Sequence, residues 1–174
     1  MLFPILAAFG LLPSIPGQAA PRPACTAPAP VPRELAGWAA ARPLKAAARA
    51  TQLGTAEIEV GVGYRLALAP QAQATLPIAP GKAPAADASG GLLGFTVVRA
   101  GRYRVALGAG AWVEVVQNGQ ARPSVAHGHG PDCTGIRKMV DYDLTPGRYI
   151  LQLSGSPQAG VTVLLAALDQ RPSA

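Results

Sequence analysis

The spacing of apolar residues divides the chain into two parts. Between Pro32 and Pro43, Leu35 and Trp38 stand three residues apart, which predicts a short amphipathic helix over residues 33–41, with a continuation over 44–50 left open. From residue 57 onward, apolar and polar residues alternate, and a period of two is typical of a strand with one buried face. The pattern predicts a helical arm followed by a β domain.

The first predicted strand is long, from Ile58 to Leu68, and carries Gly61 and Gly63 on its polar face. These glycines mark a bend, a bulge or a close approach by another backbone. Seven more predicted strands follow, separated by turns rich in glycine, asparagine and proline: 92–98, 102–107, 111–117, 122–127, 138–144, 148–154 and 161–168. About eight short strands without intervening helices predict an all-β fold, an antiparallel β-sandwich or jelly roll.

Three other segments complete the predicted organisation. Residues 1–19 carry no charge and contain an apolar run, and Gly17 and Ala19 fit the positions before a cleavage site, which predicts a signal peptide. An uncleaved apolar arm is the alternative. Residues 20–54 form a proline-rich arm with the short helix, and 55–170 the β domain. Within it, 70–91 is a low-complexity insertion, either a lid or a disordered segment, and its composition favours disorder.

Export changes the meaning of the cysteines and of the net charge. The chain is expected in the periplasm or secreted, with no transmembrane segment after cleavage, and in an oxidising compartment Cys25 and Cys133 are most simply a disulfide. The alternative is that Cys133 is a free thiolate ligand beside two histidines. In an exported protein the net charge of +6 indicates acidic envelope polymers as partners or simply solubility, while the lack of clusters that interleave aromatic and basic residues argues against nucleic acid.

Two stretches of the β domain echo each other. FTVVRAGRYRVAL, which begins at Phe95, and YDLTPGRYILQL, which begins at Tyr142, each place an aromatic residue, a Gly-Arg-Tyr turn and alternating apolar residues. We interpret both as β-hairpins whose tyrosine enters the core. These phrases resemble the strands of bacterial pre-peptidase C-terminal type jelly-roll domains, over about residues 92–168. The resemblance implies a small exported β-sandwich, and in that family calcium binds a cluster of acidic residues, of which only Asp141 and Asp143 stand close together here.

The segment from Ser124 to Lys138, SVAHGHGPDCTGIRK, holds both histidines of the protein. On a continuing strand, His127 and His129 would face the same side, an arrangement that suits one Fe, Cu or Zn ion with Asp132 or Glu114 as third ligand. The alternatives are a surface turn whose histidines bond backbone carbonyls, and a metal-free binding loop anchored by the disulfide. The segment also resembles the first half of a cupin signature, and HGHGPDCTGIRKMVDY resembles small exported proteins named homogentisate 1,2-dioxygenase. These resemblances imply a non-haem iron dioxygenase.

Basic residues near the same segment suggest a second kind of site. Arg137, Lys138 and Arg148 are candidates for holding an anionic group such as a sugar acid or a phosphate, and a solvated strand edge is the alternative. No catalytic residue is assigned. The sequence thus favours an exported, non-catalytic binding or accessory protein of the cell envelope that uses His127–Lys138 to bind an envelope component or a small ligand. The alternative is a metal-dependent, cupin-like enzyme with His127 and His129 as ligands.

Overall fold

The alternating apolar residues build two packed β-sheets, which confirms the predicted all-β sandwich. The computed structural model describes residues 25–168, so the predicted signal peptide lies outside the described residues. Eleven strands occur within residues 25–168: β1 Arg42–Lys45, β2 Gly63–Ala67, β3 Ala69–Pro70, β4 Ser89–Val97, β5 Gly101–Leu107, β6 Trp112–Gln117, β7 Gln120–Arg122, β8 Ser124–Gly128, β9 Lys138–Leu144, β10 Gly147–Ser156 and β11 Gly160–Ala167. Short 3-10 helices cover Arg33–Trp38, Ala50–Thr55 and Gln71–Gln73.

One sheet has six strands in the order β1-β2-β11-β5-β9-β8, and the other has five in the order β3-β4-β10-β6-β7. Pairing is antiparallel except between β1 and β2. The facing sides of the sheets form the main core, in which Phe95 stacks on Tyr149 with ring centroids 5.4 Å apart. No helix within residues 25–168 is long and apolar enough to cross a membrane.

The predicted strand from Ile58 to Leu68 was wrong in its extent, because the chain changes sheets inside it. Ile58 bonds Gly94 on the edge of the five-stranded sheet (N to O, 2.9 Å), whereas β2 belongs to the six-stranded sheet. Between them Gly61 adopts a φ of +85°, which breaks the pleat. An alternating pattern shows which positions are buried but not which sheet they belong to, so two short segments of different sheets were predicted as one strand.

The two echoing stretches are also corrected. The predicted hairpins are instead crossings between sheets, since β4 and β10 pair in one sheet while β5 and β9 pair in the other. The tyrosines do enter the core, as predicted. Each ties its crossing together through the same contact, with Tyr103 Oη donating to Arg99 O (2.8 Å) and Tyr149 Oη to Thr145 O (2.9 Å).

Residues 25–41, which we call the arm, cover the outer face of the six-stranded sheet. The predicted helix is a 3-10 helix, and the continuation over 44–50 that the sequence left open does not form, because Arg42–Lys45 pairs with β2 as strand β1. Leu35 is fully buried in an outer cluster with Ala106, Ile136, Leu164 and Ala166. The backbones meet closely: a Cβ on Gly37 would lie 2.2 Å from Gly61 O, and one on Gly63 2.4 Å from Gly37 O. Gly63 therefore marks the close approach that the sequence left open.

Residues 71–88, which we call the strap, cross the outer face of the five-stranded sheet. They make up most of the predicted insertion at 70–91, and the structure gives them a defined path. Gln71 N bonds Ala88 O at 2.8 Å, Ile78 N bonds Gln152 Oε1 at 3.4 Å, and Gly81 N bonds Glu114 Oε1 at 3.0 Å. The strap is thus attached mainly through polar contacts to outward-facing side chains of β6 and β10.

Candidate functional site

The histidine-rich segment divides into strand β8, a loop at 129–137 and the start of β9. We call residues 129–137 the disulfide loop, because Cys133 within it forms the predicted disulfide with Cys25 of the arm. The structure thus confirms the pairing, which leaves Cys133 unavailable as a free thiolate ligand. The disulfide joins residues 108 positions apart and fixes the loop to the arm.

Hydrogen bonds hold the backbone of the disulfide loop at several further points. Cys133 O accepts from Ala29 N (2.8 Å), and Thr134 O accepts from Trp38 Nε1 (3.0 Å), so the arm binds the loop twice more. Inside the loop, Thr134 Oγ1 donates to Pro131 O at 2.7 Å. Gly130 is required by packing, since a Cβ there would lie 2.4 Å from the Cβ of Ile136. The loop is therefore a braced surface feature although it contains no regular element.

Its polar side chains point outward. His129, Asp132 and Arg137 are exposed and border a shallow depression of about 480 Å³ beside the disulfide. Nδ1 of His129 lies 3.0 Å from Arg137 O, so this ring also fastens the two ends of the loop. The alternative of a turn whose histidine bonds a backbone carbonyl therefore describes the geometry of His129.

The structure does not bring the predicted metal ligands into one set. His127 borders a separate depression of about 110 Å³ next to Met139 and Asp141, whereas His129 and Asp132 border the one beside the disulfide. Glu114 lies on β6 of the other sheet, where it accepts hydrogen bonds from Gly81 N, Trp112 Nε1 and Gln152 Nε2. Within residues 25–168, no group of three or more His, Cys, Asp or Glu side chains could hold a metal ion. The described residues thus do not fit the iron centre that the dioxygenase resemblance implies.

The acidic pair considered for calcium is occupied by arginines. Arg104 and Asp141 face each other across β5 and β9 and form two hydrogen bonds of 2.7 Å, and Arg102 and Asp143 form a second pair two residues further along. Hydrogen bonding to Asp143 raises the pKa of Arg102, and the same bond lowers the pKa of Asp143. Each carboxylate is thus part of a cross-strand ion pair.

The three basic candidates also lie apart. Arg137 is exposed on the disulfide loop, and Arg148 on β10 pairs with Glu57. Lys138 begins β9, where its Nζ donates to Ala111 O at 2.9 Å and lies 5.3 Å from the centre of the Trp112 ring. Burial lowers the pKa of Lys138. Ser154 on β10 lines a surface depression together with Lys138. Arg148 lies six residues from Ser154 along the same strand, so roughly 20 Å separates Arg148 from this depression.

The contact between Lys138 and Trp112 belongs to a site of which the sequence predicted only Lys138. Trp112, Lys138 and Ser154 line a depression of about 570 Å³ with residues 82–85 of the strap and 110–111, and we call it the Trp112 depression. The outward position of Trp112 could have been predicted from the sequence. Val113 and Val115 belong to the core, and Trp112 has the opposite parity on the same strand, so its ring faces outward. Ser154 gave no such signal, because only the register of β10 against β6 places it beside Trp112.

Comparisons with known proteins add no relative: no protein-family model, curated protein or solved structure matches this chain. The resemblances to pre-peptidase C-terminal domains, to cupins and to dioxygenases therefore stay predictions.

Proposed function

We propose that this protein is an exported, non-catalytic β-sandwich binding module of the cell envelope, and that the disulfide loop is its contact surface. One observation carries the proposal. The loop backbone is braced by a disulfide and by hydrogen bonds to the arm, while His129, Asp132 and Arg137 remain exposed on it.

The physical advantage of this arrangement lies in entropy. A partner that binds a flexible loop must order it, which costs about 0.5–1.5 kcal/mol for each immobilised side chain in addition to the backbone cost. In the disulfide loop the backbone is already ordered by contacts with Ala29 and Trp38. Binding would then restrict only a few exposed side chains.

The chemistry of the surface favours a polar partner. Histidine, aspartate and arginine supply hydrogen-bond donors, acceptors and both signs of charge within one loop. The whole chain has 15 basic residues and 9 acidic ones, which favours an acidic envelope polymer as the partner. We expect binding that weakens as salt concentration rises.

Retention of the purified protein on isolated cell-envelope material tests the proposal. We expect the double variant Asp132→Ser, Arg137→Ser to lose at least tenfold in retention while its unfolding midpoint stays unchanged, because both side chains are exposed. Asp87→Ser, Arg99→Ser is the matched control, with the same change in charge at two other exposed positions. Equal loss in both variants would show non-specific charge binding and would overturn the role of the loop.

Metal analysis of the untagged protein is an independent check on the non-catalytic proposal. We expect no iron, copper or zinc near one ion per chain. Stoichiometric metal that disappears in His127→Ala would contradict the proposal and support the metal-dependent alternative.

A further inference from the structure

The Trp112 depression contains a buried hydroxyl group without a partner. Ser154 is fully buried, and its Oγ is the only buried side-chain nitrogen or oxygen within residues 25–168 that has no hydrogen-bond partner. Such a group costs folding free energy, and buried polar groups in native proteins are almost always satisfied. Because Ser154 lines the depression, a molecule seated there could supply the missing bond.

The charge beside Ser154 is positive. The ammonium group of Lys138 has three donors and uses one on Ala111 O. Lys82 of the strap lines the same depression. The nearest carboxylate along β6, Glu114, already accepts from Gly81 N, Trp112 Nε1 and Gln152 Nε2, and it forms no ion pair with Lys138. The depression therefore offers donors and positive charge to an anion.

The third component is an aromatic surface. Trp112 is 41% exposed although it is one of the largest apolar side chains of the domain. Its indole nitrogen is fixed by Glu114 at 3.1 Å, and Lys138 lies over the ring, so its orientation is set by two contacts. Gly81 of the strap packs against the nitrogen side of the ring, so the exposed remainder of this fixed indole provides an apolar surface for the C–H groups of a saccharide ring.

We propose that the Trp112 depression binds an acidic saccharide unit of the uronic acid class. The carboxylate would take hydrogen bonds from Lys138 and Ser154 with Lys82 as a second cation, and the carbon face of the sugar would rest on Trp112. A volume of about 570 Å³ lies within the usual range of small-molecule sites, roughly 300–1,000 Å³. The site lies outside the disulfide loop and does not depend on the function proposed for that loop.

Nuclear magnetic resonance titration of the purified protein tests this proposal, with D-galacturonate and its dimer as probes and D-galactose as the neutral match. We expect saturable shifts of the Trp112 indole N–H and the Gly81 and Gly155 amides with galacturonate, and at least tenfold weaker binding of galactose. Lys138→Met should weaken galacturonate binding at least tenfold and Ser154→Ala about threefold. Lys45→Met, which removes an exposed lysine on β1, should leave it unchanged.

Several results would overturn the proposal. Equal affinity for galactose and galacturonate would remove the role of the charge, and equally strong shifts with acetate or inorganic phosphate would remove the role of the sugar ring. Absence of shifts at Trp112 would exclude the site. If Lys138→Met does not fold, Ser154→Ala and Trp112→Ala decide, and unchanged binding in both would also exclude it. Loss of retention in the disulfide loop variants would leave these titrations unaffected.

Discussion

The two outer faces of the sandwich are both covered by irregular segments, but the covers differ in chemistry. The arm lies on the six-stranded sheet through an apolar cluster around Leu35, with the disulfide at one end and Arg104–Asp141 beneath Glu34. The strap lies on the five-stranded sheet and is attached by hydrogen bonds to Gln152 and Glu114. Beside the strap a buried hydroxyl remains without a partner.

This difference indicates that the arm has a structural role, whereas the strap leaves a binding site beside it. An apolar contact with a covalent tie excludes water and leaves no unsatisfied polar group, so the arm stabilises the fold and positions the disulfide loop. A polar contact consumes some donors and acceptors and leaves others, here the buried hydroxyl of Ser154 and the ammonium group of Lys138, in the lining of a depression. We therefore expect perturbations of the arm to change stability most, and those near the strap to change ligand binding most.

Among changes that test the difference between arm and strap, removal of the disulfide should lower stability most. For a closed loop of about one hundred residues the chain-entropy model gives about 4.7 kcal/mol, and measured losses for native disulfides are about 2–5 kcal/mol. We expect Cys25→Ser, Cys133→Ser to lower the free energy of unfolding within that range in urea titrations. Hydrogen exchange should accelerate at Ala29 and in the disulfide loop and stay unchanged at Ile78 of the strap. Equal acceleration of hydrogen exchange in the arm and in the strap would contradict the different roles of the two segments.

The second largest effect is expected at the ion pair under the arm, in which Asp141 is buried and Arg104 is partly buried. Asp141 is 5% exposed, so Arg104→Met would leave its carboxylate buried without its main partner, at a cost of about 3 kcal/mol. Arg102→Met is the matched control on the same strand. Arg102 and Asp143 are 50% and 57% exposed, and exposed pairs contribute about 0–1 kcal/mol. Chemical denaturation of the two variants measures the difference, and equal losses would show that the arm does not shield Arg104.

The strap should respond to Gln152, which is fully buried and bonds both the N–H and the C=O of Ile78. Gln152→Leu removes these bonds and leaves the polar groups of Ile78 and Glu114 with fewer partners, which should cost about 2 kcal/mol. We expect faster hydrogen exchange at Ile78 and Gly81 with no change at Ala29. Protection that persists in the strap would mean that its apolar contacts, such as Leu76, hold it instead.

The smallest expected effect concerns the charge of Lys138. Burial lowers its pKa in the folded protein, so between that value and the ordinary one of about 10.4 the unfolded chain binds more protons, and stability rises with pH. Relative to Lys138→Met, the wild type should therefore gain a small amount of stability as pH rises toward 10.5. Urea unfolding of both proteins from pH 7 to 10.5 measures this. A gap that is constant with pH would show that Lys138 is effectively solvated.

Much of the β domain could be predicted from local pattern. The alternation around Val113, Val115 and Leu151 identifies buried faces because side-chain direction in a strand depends only on sequence parity. The disulfide followed from having two cysteines and an expected oxidising compartment. The candidate site was predicted less well. The segment that became the disulfide loop stood out by composition, but the predicted ligand set of His127, His129 and either Asp132 or Glu114 did not assemble.

The sequence by itself determined the fold class, the positions of most strands and the cysteine pair, since periodicity and residue chemistry are local properties. Tertiary structure decided which sheet each strand joins, as at Gly61, where one predicted strand serves two sheets. It also decided which polar residues meet, placing Ser154 beside Trp112 and Lys138 through strand register and the packing of two sheets. Register and sheet membership depend on contacts between residues distant in sequence, which no local pattern encodes.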